Sequence, residues 1–268
     1  MSAVSDFVRK SFKEGDDIRD AGLTTPEDVV RYDDILYGTD PKWQVLDLYR
    51  PKNKEGEKLP VIVSIHGGGW VYGDKERYQY YCMSLAEIGF AVVNFSYRLA
   101  PEFKYPAPLE DTNLVFSWVL EHEAEYNLDT RHIFAVGDSA GGNILGLYCA
   151  ICTNPEYAGH YSFQVPQGFV PQAVALNCGD YVVEAAHPSP DNHTLELMAD
   201  YLPGKGTREE MALMNVTAHV TEKFPPVFLM TASGDFLKEQ ALLMASVLTR
   251  HNVPFLYRFY GDSQKLLP

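Results

Sequence analysis

From residue 61 onward, six short runs rich in β-branched and aromatic residues alternate with longer stretches of helical periodicity, and few folds accept that order. The runs lie at 61–65, 90–95, 132–136, 173–177, 227–231 and 255–260, and the helical stretches at 77–88, 108–125, 140–153 and 236–250. Parallel strands need a crossover of a dozen or more residues, usually a helix. The pattern therefore predicts an α/β fold, a mostly parallel sheet with helices on both faces. Upstream, 29–37 and 43–50 read as an added strand pair ending at Pro51, and residues 1–25 as a helix or two. With 268 residues, 46% of them apolar, the chain has material for one large α/β domain spanning 1–268.

Residues 180–224 form a stretch too long for a simple strand-to-helix turn. In open α/β sheets ligands bind beyond the carboxyl ends of the strands, the side on which an insertion after 173–177 emerges. Together with 1–25, it is expected to form a cap over a site there.

The chemistry concentrates in Gly137-Asp138-Ser139-Ala140-Gly141-Gly142, which follows a predicted strand and opens a predicted helix. A turn this sharp forces the serine into strained backbone angles and needs neighbours without side chains, so that the hydroxyl can stand clear. The following helix N-terminus supplies free N–H groups and partial positive charge where an oxyanion would form. Ser139 is the candidate nucleophile.

A second glycine cluster, His66-Gly67-Gly68-Gly69-Trp70, closes the strand at 61–65. Its backbone N–H groups are placed to curl toward the same sheet edge, and Gly68, Gly69 and Ala140 are the expected oxyanion donors. His66 and Gly67 would brace that loop. A glycine turn that serves only packing is the plainer alternative; a phosphate-binding loop fits poorly, because no G-K-[ST] follows. Asp235, in Ser233-Gly234-Asp235 after the strand at 227–231, is the candidate acid that orients a general base, although Asp also serves well as a helix N-cap.

The base itself is missing from the expected place. After Tyr260 the chain reads Gly261 to Pro268 without a histidine. His251 ends the helix that begins beside Asp235, and about 15 helical residues carry it roughly 22 Å away. His132 begins a strand and lies at the wrong edge, while His122 and His160 adjoin no motif. His187, His193 and His219 belong to the cap segment, where nothing in the sequence aims them at Ser139.

Composition removes other classes. A formal charge of −14 repels phosphate backbones and anionic lipid, so nucleic acid and membrane surfaces are not expected partners. The start of the chain, Met1 to Asp17, offers no apolar run of signal-peptide length, and no apolar stretch anywhere reaches the roughly 18 residues of a spanning helix, which makes a cytoplasmic location the expectation. Cys82, Cys149, Cys152 and Cys178 lie in apolar surroundings and read as reduced, buried thiols.

With these residues in place, the chain resembles the hormone-sensitive-lipase-like family of the α/β-hydrolase superfamily, the branch of bacterial acetyl esterases and carboxylesterases. The likeness rests on His66 to Trp70, Tyr97-Arg98-Leu99-Ala100-Pro101-Glu102, Pro106-Ala107-Pro108-Leu109-Glu110-Asp111 and Gly137 to Asn143, in family order. It implies an α/β-hydrolase fold with a helical cap, and a serine esterase acting on small-molecule, short-chain acyl esters through an acyl-enzyme. It also implies no metal and no organic cofactor. In the family a histidine loop and a last helix follow the final strand, and this chain ends inside that loop. The expectation is a shortened chain with residual activity. A non-catalytic ligand-binding relative and an amide or formamide hydrolase of the same fold stand as alternatives. Sheet surface left bare by an absent last helix is expected to favour a homodimer.

Overall fold

A computed structural model describes residues 2–183 and 193–262. Eight strands form one sheet: β1 (Val29–Leu36), β2 (Val45–Pro51), β3 (Leu59–Ile65), β4 (Ala91–Phe95), β5 (Leu128–Asp138), β6 (Val174–Asn177), β7 (Val227–Ala232) and β8 (Phe255–Tyr260). The helices are α1 (Ala3–Arg19), α2 (Lys75–Glu87), α3 (Ala107–Glu121), α4 (Ala140–Thr153), α5 (Pro155–Ala158), α6 (Thr194–Tyr201), α7 (Arg208–Met214) and α8 (Lys238–Arg250). Every predicted strand and crossover helix is present, with ends shifted by a few residues.

Strand order is β1-β2-β4-β3-β5-β6-β7-β8, with the β1–β2 and β2–β4 pairs antiparallel and every other pairing parallel. The order reverses at β3: the chain steps outward to β4, then returns past β3 to lay down β5 on its other side. Such a reversal opens a crevice at the carboxyl ends of the two strands, because their connections leave in opposite directions. Ile65 of β3 and Gly137 of β5 pair across it. One glycine motif starts at His66, the residue after Ile65, and the other starts at Gly137 itself.

Side-chain alternation along the strands serves two layers. Val61, Val63 and Ile65 join the larger core together with residues of α3, α4 and α8, whereas Ile62 packs with Cys82, Met83 and Ala86 of α2 on the opposite face. On the α2 face, Phe134, Phe228 and Leu256 line an apolar hollow of about 520 Å3, and Leu256 is 50% exposed. All four cysteines are free thiols. No described helix is long and apolar enough to cross a membrane.

A buried polar knot fixes the front of the sheet. Asp111 in α3 is fully buried; it accepts the Arg98 backbone N–H at 2.8 Å, the Gln44 amide at 2.7 Å and the Arg98 guanidinium at 2.8–3.0 Å. Burial raises the Asp111 pKa, and the Arg98 contacts oppose that rise. Removing one partner of a buried pair strands the other, so Asp111→Ala is expected to cost roughly 3 kcal/mol. A lowered urea midpoint at constant m-value checks it; an unchanged midpoint would show that the pair Arg98 already makes with Glu110 at 2.8 Å suffices.

Candidate active site

Ser139 sits between the last residue of β5 and the first turn of α4 at φ 52° and ψ −116°. Positive φ in a residue with a Cβ costs of order 1–3 kcal/mol and persists only where the surroundings enforce it. Here they do: the Ser139 N–H donates to the Asn177 carbonyl at 2.9 Å, and the Asn143 N–H donates to the Ser139 carbonyl at 3.1 Å. The strain has a result. Serine at a helix start usually turns its hydroxyl onto the first turn, but Ser139 makes no such cap, and its side chain lines a cavity above the sheet. Gly141 lets α4 descend against β3, since a Cβ there would meet the Ile65 carbonyl oxygen at 2.1 Å.

The loop after β3 is wound as tightly. Gly68 has φ +118°, and its carbonyl accepts the N–H groups of Val71 and Tyr72 at 3.2 and 3.0 Å. Gly69 and Ala140 line the same cavity as Ser139, whereas Gly68 is not among its lining residues. His66 is fully buried beneath them: its ring stacks on Tyr97 at 4.0 Å and its Nδ1 lies 2.7 Å from the Gly67 carbonyl. Burial drives the His66 pKa down to about 4, so the ring is neutral and braces the loop as a packing element.

Asp235 is buried at the end of β7. Its Oδ2 accepts the Thr231 hydroxyl at 2.7 Å and its Oδ1 the Leu237 N–H at 2.8 Å, while α8 begins at Lys238 with Leu237 in the cap position, so Asp235 is not the N-cap of that helix. The next two residues, Phe236 and Leu237, line the cavity.

The histidines divide as follows. His122 stacks on Trp118 with Nδ1 at the Trp118 carbonyl, His132 pairs with Asp129 at 2.6 Å, and His219 stacks on Tyr157 at 3.7 Å. His251 ends α8. His193 does line the cavity, with its ring edge-on to Phe7 at 5.5 Å. His187 and the segment 263–268, where a family-like histidine loop would fall, lie outside the described residues.

One contributor escaped the sequence reading. Tyr78 of α2 accepts the Gly67 N–H at 3.0 Å and donates to Asp138 Oδ2 at 2.5 Å, tying the glycine loop to the turn that carries Ser139. Burial raises the Asp138 pKa, the Tyr78 hydroxyl bond opposes the rise, and the nearby Asp235 charge adds to it. A charged residue inside a buried turn needs a donor, and Asp138 between Gly137 and Ser139 was the signal for one. Tyr78→Phe is expected to cut turnover about tenfold, mainly in kcat, while leaving the cavity walls intact; kcat and KM measured separately on a p-nitrophenyl ester check this.

The cavity, of about 210 Å3, is roofed by α1 and α6. Val8 of α1 and Leu197 of α6 reach over Gly69. Arg9 anchors α1 by donating to the carbonyls of Val71 at 2.7 Å and Ala100 at 2.8 Å and by pairing with Glu102 at 2.6 Å. The hydroxyls of Ser2 and Ser5 both reach Asp200 Oδ2, joining α1 to α6 across the cavity mouth.

A strained serine at a topological switch, flanked by a glycine loop and a buried acid, defines an α/β hydrolase. Comparison with known proteins agrees: a family profile described as the alpha/beta hydrolase fold matches residues 62–264. The chain belongs to the α/β-hydrolase fold family, in its hormone-sensitive-lipase-like branch. It is similar to the carboxylesterase NlhH of Mycobacterium tuberculosis, 31% identical over 203 residues, which cover 74% of this chain and 63% of that protein. It is also similar to the versiconal hemiacetal acetate esterase of Dothistroma septosporum, 27% identical over 80% of this chain and 67% of that one. Among solved structures, esterase B from Lactobacillus rhamnosis superposes with a TM-score of 0.87 at 26% identity, covering 98% of this chain and 87% of that one.

Proposed function

We propose that the protein is a serine esterase acting on short-chain acyl esters through an acyl-enzyme intermediate. The observation that carries the reading is Ser139, held at positive φ with an uncommitted hydroxyl beside the Gly68 loop. In this scheme the Ser139 hydroxyl oxygen attacks the ester carbonyl as its proton passes to a general base, the group that Asp235 would orient if it is an imidazole. His66, His122, His132 and His219 are engaged elsewhere and do not fill that role. Negative charge moves to the former carbonyl oxygen, which the N–H groups of Gly68, Gly69 and Ala140 receive. Collapse expels the alcohol with that proton, and water then releases the acid by the same path.

Three further points support the reading. The relatives are named as esterases, and one esterase B structure is described as inhibited by a C4-C4 tributyrin phosphonate, at a TM-score of 0.85. A cavity of about 210 Å3 lies below the roughly 300 Å3 at which pockets for drug-sized ligands begin, which suits a short acyl chain. The α1 and α6 roof would act as the cap that selects it.

The test is covalent. Incubation with a p-nitrophenyl alkylphosphonate, followed by peptide mass spectrometry, is expected to place one adduct on Ser139. Acetate and butyrate esters should be cleaved in preference to longer esters and to an aryl amide. Absence of the adduct, or an adduct elsewhere, overturns the proposal.

A further inference from the structure

We infer that Asp180 is a specificity-determining group of the cavity above Ser139, where it receives a hydroxyl or ammonium donor carried by the substrate. The inference rests on the esterase reading and sharpens its substrate class: esters bearing a hydrogen-bond donor on the acyl or alcohol part.

Asp180 follows β6 and lines the same cavity as Ser139, yet it is only 1% exposed. Among the described residues neither of its carboxylate oxygens completes a hydrogen bond. A buried carboxylate without donors is a costly arrangement, and proteins rarely keep one unless something arrives to satisfy it. Burial raises its pKa to about 6, with the Thr194 hydroxyl and the Val182 N–H offsetting part of the rise. The group is therefore charged at pH 8; the Thr194 hydroxyl and the Val182 N–H lie near it, but the Val182 N–H is spent on Gln240 and neither carboxylate oxygen completes a hydrogen bond.

Nor is the side chain there by slack in the backbone. The Asn143 amide, one turn into the helix that Ser139 opens, donates to the Asp180 carbonyl at 2.8 Å and to the Met214 carbonyl at 3.0 Å. Gln240 Oε1 accepts the N–H groups of Tyr181 and Val182 at 3.2 and 2.9 Å, and Gln240 Nε2 donates to the Val182 carbonyl at 3.2 Å. Both buried amides are spent on holding this short segment in place. The neighbouring wall, from Val8, Leu197 and Leu237, is apolar and leaves the carboxylate as the acceptor a polar substrate would meet. Sites built to hydrogen-bond a substrate donor discriminate strongly against analogues that lack it, because the buried partner is then left unpaired.

Three phosphonate probes with the same p-nitrophenoxide leaving group test this at pH 8. One carries a plain pentyl chain and propoxy arm, one a 4-hydroxybutyl chain, and one a terminal hydroxyl on the alkoxy arm. One of the two donor probes is expected to label Ser139 at least tenfold faster than the plain probe, and the arm it carries identifies the side of the ester that Asp180 reads. Asp180→Leu is expected to remove that preference while retaining labelling by the plain probe. Equal rates for all three probes on the wild-type chain overturn the inference, as does a preference that survives in Asp180→Leu. If that variant does not fold, the wild-type comparison decides alone. Failure of every probe to label Ser139 overturns the esterase reading itself, and this inference with it.

Discussion

Alanine in place of Ser139 is expected to lower p-nitrophenyl butyrate hydrolysis by roughly 10^3-fold or more and to abolish phosphonate labelling, while leaving the far-UV circular dichroism of the parent. The size follows from the covalent route, because without the Ser139 oxygen no acyl-enzyme can form. Stability should not fall, because the Ser139 hydroxyl makes no cap bond and the turn is enforced through backbone contacts to Asn177 and Asn143. A variant that keeps a first-order burst with the ester would assign the chemistry to another residue.

The second large effect belongs to Gly68→Ala. At φ +118° a Cβ is strained whatever the space, and here it would meet the Tyr72 carbonyl oxygen at 2.1 Å, a backbone atom with no side-chain freedom to yield. The loop must open, which under the proposed scheme carries its N–H groups away from the oxyanion. Loss of one preorganised donor is worth about 10^2–10^3 in kcat. Phosphonate labelling of Ser139 should slow in proportion while the residue stays accessible to reagent. Equal kcat in parent and variant would place the oxyanion donors elsewhere.

What the sequence disclosed and what it hid follow from one difference in the signals. The parallel strands stand out because strands buried on both faces become continuous apolar runs, as 61–65 and 227–231 do. The start of β5 did not stand out: Leu128 to Arg131 is largely polar and pairs with β3 only across a register shift, so the strand reads as beginning at His132. Ser139 and the glycine loop were legible because backbone strain demands particular residue types at fixed spacing. Tyr78 and Asp180 were not, since each acts through a contact between segments far apart in the chain. In sequence, Tyr78 is one more aromatic on an amphipathic helix, and Asp180 one more acid after a strand. The helices α6 and α7 are eight and seven residues long, too short for periodicity to declare them within 180–224.

The reversal of strand order at β3 also partitions the information. Ser139, Gly68 and Gly69 hang from two adjacent central strands paired at Ile65 and Gly137, whereas the walls contributed by Val8 and Leu197 come from helices at residues 3–19 and 194–201. Under the proposed function, the reacting groups and the apolar roof of the cavity are thus written on separate stretches of the chain. Libraries confined to the two roofing helices could be screened for new ester preferences without re-optimising the reaction centre, and grafts of those helices between relatives offer a modular route to the same end.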